Sequence, residues 1–226
     1  MAYRRALEPY VKHPEKGDSI NVVIRYTDQY TLIYDLYPKA TIHLLLLPRS
    51  PARTSLHPFK ALCPRVNKSN QSFYDSIASY VLDAKRLAVT LLEKKLNRKC
   101  TIDDIKAGIH ALPSLSNLHI HIISVDNHSS RLKNKKHYNS FNTPFFIDFN
   151  DLESLSSHCL NQVAALEPTS YEKFLKLDLI CWRCKKQFSN KFKLFQQHLN
   201  EEFEIWLQEK NIISTEDKQT LKHDVQ

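Results

Sequence analysis

Two imidazoles one residue apart, in Asn117-Leu-His119-Ile-His121-Ile-Ile123, are the first residues whose type and spacing could do chemistry. Side chains alternate between faces along a strand. Leu118, Ile120 and Ile122 therefore turn to a core, while Asn117, His119 and His121 share the opposite face. The two rings would stand roughly 7 Å apart, close enough to converge on one small anionic group. A neutral imidazole is a usable nucleophile at pH 7, and a protonated one stabilises developing negative charge. A surface pair or an adventitious metal site would show the same pattern, because so short a motif discriminates weakly.

A second group lies near the C-terminus. Cys181-Trp-Arg-Cys184 is a C-x₂-C knuckle, followed after thirteen intervening residues by His198 on a predicted helix. Phe188 stands where a C₂H₂ finger places its core aromatic, and the interval to His198 is one residue longer than the usual twelve. One helical turn beyond His198, where a finger carries a second histidine, this chain has Glu202. Carboxylate oxygen is an acceptable fourth ligand for Zn²⁺. The spacing thus predicts a closed site of Cys181, Cys184, His198 and Glu202, with Glu201 as the alternative fourth ligand. A redox or inert C-x-x-C beside an unrelated helix is the competing reading. Few supporting polar groups in so small a module favour a structural zinc over a catalytic one.

The elements that must position these groups are legible in outline. Residues 1–16 read as a short basic helix ending near Pro14. Three β-rich runs follow, Asn21–Tyr26, Tyr30–Tyr34 and Thr41–Leu47, separated as in an antiparallel meander. Residues 70–98 repeat apolar side chains at i, i+3 and i+4, from Phe73, Ile77, Tyr80 and Val81 to Leu91 and Leu92, which makes a long amphipathic helix. Two further strand runs, Ile105–Leu112 and Leu118–Val125, complete an α+β domain with a five-stranded antiparallel sheet. A helical stretch around Leu152–Leu166 bridges to the small zinc-finger-like module.

Composition narrows the partners. Of 226 residues, Lys and Arg exceed Asp and Glu enough to give a formal net charge of +8, which points to nucleic acid. Residues 127–147 carry Arg131, Lys133, Lys135 and Lys136 with no acidic residue, interleaved with His137, Tyr138, Phe141, Phe145 and Phe146. Arg183, Lys185, Lys186, Lys191 and Lys193 form a second basic run. Phosphate contacts from both runs and base stacking on their aromatics would suit nucleic acid, although a solvated basic face is the plainer reading. The longest apolar run, Ile42–Leu47, is too short to span a bilayer, and the opening residues lack a signal-peptide core. A soluble intracellular protein without membrane attachment is expected. Five cysteines without such a signal argue against a disulfide framework, and Cys63, Cys100 and Cys159 read as inert thiols.

The histidine strand resembles that of the histidine-triad (HIT) hydrolases, His-φ-His-φ-His-φ-φ, with Asn117 at the first triad position. Within that superfamily the aprataxin family of DNA 5′-adenylate hydrolases is much closer. The shared pieces are Tyr37-Pro-Lys-Ala40 leading to His43, His110-Ala-Leu-Pro-Ser114, the histidine strand, Leu132–Asn142 and the Cys-His module, together covering nearly the whole chain. Fungal members also carry Asn at the first position. The resemblance implies a HIT-type domain over residues 1–147, with 127–147 as a basic insert, and a bridge plus zinc-binding DNA-contact module over 148–226.

It also implies roles. His119 would attack the AMP phosphorus to form an adenylyl-histidine, with His121 and His43 orienting the ring and bonding phosphate oxygens. Ser114, Lys39 and Asn117 would bind the nucleotide phosphates, and His110 would steady the departing DNA 5′-phosphate. Asp35 would grip the ribose hydroxyls. Tyr3, with Tyr10 as runner-up, would wedge against a DNA end, and Arg131, Lys133, Lys135, Lys136, His137, Lys185 and Lys186 would contact DNA. The implied substrate is nicked or broken DNA bearing 5′-AMP, with RNA–DNA junctions as a further candidate. A nuclear monomer with a structural Zn²⁺ and metal-free chemistry is expected. The competing readings are a general HIT nucleotide hydrolase acting on dinucleoside polyphosphates or phosphoramidates, and a non-catalytic zinc-dependent DNA-end binder.

Overall fold

A computed structural model describes residues 2–16, 22–154 and 168–223. Six strands form one antiparallel sheet: β1 (Val23–Tyr26), β2 (Tyr30–Tyr34), β3 (His43–Pro48), β4 (Ile105–His110), β5 (Ile120–Ser124) and β6 (Phe146–Asp148), in the order β1-β2-β3-β5-β4-β6. The sheet has one strand more than the sequence predicts. At three residues β6 is too short to display a period-two pattern, and only its pairing with β4 marks it as a strand.

The register fixes which side chains meet. Leu45 lies opposite His121, Gly108 flanks His121 from the other side, and His110 faces Phe146. One face of the sheet carries Leu44, Leu46, Ile120, Ile122, Ala107 and Ile109. It packs against the long helix α3 (Lys68–Leu96), whose buried stripe is Asn70, Tyr74, Ile77, Val81, Ala84, Ala88 and Leu92. Asn67 caps the N-terminus of α3 through its side chain, and Asn97 ends the helix in a left-handed conformation (φ 53°). The short helix α2 (Pro58–Leu62) seals the same core with Phe59 and Leu62.

The other face is covered at its β2–β3 end by the N-terminal segment, where Leu7 and Val11 pack on Ile33, Leu45 and Leu47. Burial on both faces explains why β3 is apolar without alternation. The predicted single N-terminal helix is divided into a 3₁₀ turn (Ala2–Arg5) and α1 (Glu8–Lys12), which starts with Pro9 in its first turn.

The basic segment after β5 is partly helical. It holds the helix α4 (Lys135–Asn142), capped by Asn134 and burying Tyr138, Asn139 and Phe141. Downstream come α5 (Pro168–Leu175), a hairpin of β7 (Leu179–Ile180) and β8 (Gln187–Ser189), and α6 (Phe192–His223). The anticipated bridge helix falls mostly on residues 155–166 and, like Cys159, lies outside the described residues.

A division between residues 147 and 148 cuts through β6. Phe149 stacks on Tyr74 with ring centroids 4.8 Å apart, and Leu152 is buried in the main core, so the sheet domain continues past it. The two parts are also fused from the far side. Phe203 and Trp206 of α6 join the main core, and Phe203 stacks on His128 at 3.9 Å. No described helix is long and apolar enough to cross a membrane.

Candidate active site and metal centre

His119, His121, His43 and His110 come together on the sheet face opposite α3. Ring centroids are 5.1 Å apart for His119–His121, 5.2 Å for His43–His121 and 4.3 Å for His110–His121. Phe141 of α4 closes over them, edge-on to both His43 and His121.

Hydrogen bonds fix where three of these rings carry their proton. A carbonyl can only accept, so the 2.7 Å contact to Asn117 O puts the proton of neutral His119 on Nδ1 and leaves the Nε2 lone pair free to attack. A backbone amide can only donate, so Lys39 N–H at 3.2 Å makes His43 Nδ1 an acceptor and places the His43 proton on Nε2. That proton points at His121 Nδ1, 2.9 Å away. His121 therefore holds its own proton on Nε2, which is buried and has no hydrogen-bond partner. A buried donor without a partner is costly unless a ligand supplies the acceptor. The buried His110 Nε2 is likewise unpartnered.

All four residues line a cavity of about 610 Å³, within the range of small-molecule sites. Ile33, Leu36, Leu45, Leu112 and Leu115 form apolar wall, while Asp35, Lys39 and the exposed Ser114 add polar groups. Asp35 takes the Tyr37 N–H on Oδ1 at 2.7 Å, and its Oδ2 lies 3.5 Å from His43 Nδ1. Asn117, expected to present its side chain to phosphate, does not line this cavity. It precedes the first hydrogen-bonded residue of β5, and its amide turns to Thr54 Oγ1 at 3.2 Å, so it reaches the site only through its carbonyl.

Burial lowers the proton affinity of every ring: His43 to about 4, His110 to about 3, His121 well below the usual value, and His119 downward against the opposing pull of the Asn117 carbonyl and Asp35. The histidines are thus neutral in the free protein at pH 7. Fixed positive charge at the cavity comes from Lys39 and Lys136 instead. Burial also lowers Lys39, and Asp35 opposes that shift.

At the other end, one ligand atom each from Cys181, Cys184, His198 and Glu202 lies within 4.8 Å of all the others. Cys184 Sγ is 3.1 Å from His198 Nε2, and Glu202 Oε1 is 3.5 Å from the same nitrogen. A tetrahedron built on Zn–S and Zn–N bonds has edges of roughly 3.3–3.8 Å, near these two separations, and two thiols, an imidazole and a carboxylate are a donor set that suits the ion. The hairpin brings in the cysteines, while α6 presents His198 and Glu202 on successive turns of one face. Glu201, the alternative ligand, is exposed and sits 4.0 Å from His198 Nδ1, the nitrogen turned away from the cluster. Phe188 packs on both Phe195 and the His198 ring.

The basic residues divide by surroundings. Lys136 and His137 line the cavity, Arg131 stands over the exposed Tyr37 ring, and Lys133 lies exposed between them in sequence. The Lys135 ammonium is bonded to the Asn190 side chain, Lys185 to Trp182 O at 2.5 Å, and Lys186 sits over Phe188. Tyr3 is 61% exposed at the cavity rim, whereas Tyr10 lines the cavity from α1 and packs on the N-terminal cluster.

The aromatics of 127–147 are placed differently from the base-stacking reading. Tyr138, Phe141 and Phe145 are buried, because they cap the histidines and fill the core beneath the hairpin. Phe141, read from the sequence as a stacking aromatic, is instead a lid over the histidines, and the sequence reading missed its support, the half-buried Lys106, whose ammonium donates to Phe141 O at 2.8 Å. The i, i+3 spacing of Tyr138 and Phe141 was the available signal for a helix joining two cores.

Comparison with known proteins agrees with both halves. The C2HE / C2H2 / C2HC zinc-binding finger family matches residues 142–205. The family described as scavenger mRNA decapping enzyme C-term binding matches residues 10–137, more than half of the chain. An aprataxin-like protein of Saccharomyces cerevisiae is 37% identical, covering 90% of this chain and 97% of its own length. One of Schizosaccharomyces pombe is 34% identical, covering 92% and 84%. The crystal structure of the aprataxin ortholog Hnt3 in complex with DNA matches with a TM-score of 0.78 at 33% identity, covering 92% of this chain and 98% of that one. Hnt3 in complex with DNA and guanosine gives 0.76 at 34% identity, covering 92% and 99%. Likeness at this level over nearly the full length of both partners, with the histidine cluster and the Cys-Cys-His-Glu group both in place, means that the chain belongs to the aprataxin family of histidine-triad proteins.

Proposed function

We propose that this protein is a DNA-repair hydrolase that removes AMP from the 5′-phosphate of nicked or broken DNA, the product of an abortive ligation. The observation that carries this reading is the pairing of a free Nε2 lone pair on His119 with an unpartnered Nε2–H on His121 in one cavity. His119 Nε2 attacks the adenylate phosphorus, a P–N bond forms, and the anhydride P–O bond to the DNA 5′-phosphate breaks. His121 Nε2–H donates to a non-bridging oxygen where charge gathers. Lys39 supplies positive charge, and Ser114 and His110 hold the departing DNA phosphate. That leaving group is already a stabilised anion, so positioning and charge stabilisation outweigh proton donation. Water then cleaves the P–N bond and releases AMP. The purine lies on the apolar wall, with Asp35 accepting from the ribose hydroxyls.

Lys136, His137, Arg131 and the exposed rings of Tyr3 and Tyr37 supply a rim of phosphate and base contacts. The DNA complexes of Hnt3 support a DNA partner, and its guanosine complex supports a purine nucleoside ligand. Action as a monomer in the nucleus, on RNA–DNA junctions as well, belongs to the same proposal. So does a zinc that builds the DNA-contact module without entering the chemistry.

The test is a 5′-adenylated nicked duplex incubated without added Mg²⁺, with diadenosine tetraphosphate as a parallel substrate. Wild type is expected to release AMP from the nick, and His119→Ala to lose at least about 10³-fold, as removal of a covalent nucleophile does. Equal activity of the His119→Ala variant would overturn the mechanism. Preference for the dinucleotide would favour a general nucleotide hydrolase.

A further inference from the structure

Arg183 sits between the two cysteines in a run of basic residues and looks, in sequence, like one more phosphate contact. Its side chain is committed elsewhere. One terminal nitrogen donates to Glu202 Oε2 at 2.5 Å, and the other is bonded to Glu209, two turns further along α6. Glu202 is thereby held at both oxygens: Oε2 on the guanidinium and Oε1 toward His198 and the thiol cluster. Its side chain is only 8% exposed, and that of Arg183 only 23%.

Charge balance gives this arrangement a purpose. Zn²⁺ with two thiolates and two neutral imidazoles is neutral, whereas replacing one imidazole by a carboxylate leaves one surplus negative charge. A buried surplus charge is expensive unless paired. Arg183 carries the missing positive charge, and its planar fork fixes which carboxylate oxygen stays free for the metal.

We infer that Arg183 is the positioning residue of the zinc centre, the partner that makes a carboxylate usable as the fourth ligand, and that Glu209 anchors it from outside. Arg183 is therefore part of the metal site and contributes no phosphate contact.

Chelator competition on the full chain measures this directly, with Co²⁺ absorption as a second readout of ligand geometry. Arg183→Gln is expected to weaken zinc about 10–100-fold, the usual cost of removing such a partner. Glu209→Gln should weaken it by a smaller factor. In a Glu202→His background, where the fourth ligand is neutral, Arg183→Gln should cost less than about threefold, because the charge it balances is gone. Zinc affinity of Arg183→Gln within twofold of wild type would overturn the inference. So would an equal loss in both backgrounds, which would mean that Arg183 only braces α6, or failure of Glu202→His to hold zinc at all. Should Arg183→Gln not fold, Glu209→Gln carries the comparison: it must weaken zinc in the wild-type background and leave the affinity unchanged in the Glu202→His background.

Discussion

Burial leaves His119 neutral with its proton on Nδ1, and this combination sets how activity should respond to acid. In the proposed mechanism protonation of Nε2 removes the lone pair that attacks phosphorus, so the acid form would be inactive. Because the folded protein lowers the proton affinity of His119 below that of a free imidazole, the active form persists to lower pH than in a solvated histidine. The rate constant kcat/KM for AMP release is expected to stay level from neutral pH downward and to fall with a midpoint below 6.5. A midpoint at or above 6.5 would mean that His119 is not the group whose deprotonation limits attack. The His119–His121 pair was legible from strand alternation, although the same alternation put the Asn117 side chain on their face, where it is not. The protonation pattern was not, because it depends on the Lys39 amide and Asn117 carbonyl, whose positions are set by loops.

Between β4 and β6 the sheet approaches so closely that only glycine fits at position 108. A methyl group there would lie 2.3 Å from Ile147 O and 2.6 Å from the Phe146 ring. Backbone cannot yield cheaply, so Gly108→Ala must part the β4–β6 pairing or move Phe146, which packs beside His110 and His121. The expected cost is about 1–3 kcal/mol from overpacking, which in a chain of this size lowers Tm by several degrees. Adenylate release should fall along with it, since His110 faces Phe146 across the pair. Thermal melting and single-turnover rates check both parts, and an unchanged Tm would show that the edge strand gives way freely. The long elements, α3 and strands β2 to β5, were readable because each repeats its pattern several times. β6 and α4 were not, since three residues of strand and two turns of helix carry too little periodicity, and their burial comes from neighbours distant in sequence.

Over the whole molecule, the zinc module is a wall of the hydrolase domain as much as an appendage to it. Tyr138 of α4 enters the hairpin core with its hydroxyl on Ile180 O at 2.8 Å, while Phe141, one turn later, covers the histidines. From the opposite direction α6 delivers Phe203 and Trp206 to the main core, and Arg98 at the end of α3 bonds to Leu207 O. A boundary after residue 147 misses this, because the basic surface residues of 127–147 hide the apolar face beneath them. Loss of zinc should release His198 and Glu202 from the hairpin and loosen the start of α6, and through it the contacts of Phe203 and Trp206. Chelation at neutral pH is accordingly expected to lower Tm for the whole chain in one cooperative transition. Hydrogen exchange should quicken at the C-terminal turn of α3 as well as in β7 and β8. Two separate transitions, with the sheet domain melting at its zinc-loaded temperature, would instead show that the metal stabilises the finger alone and that the shared aromatic contacts contribute little.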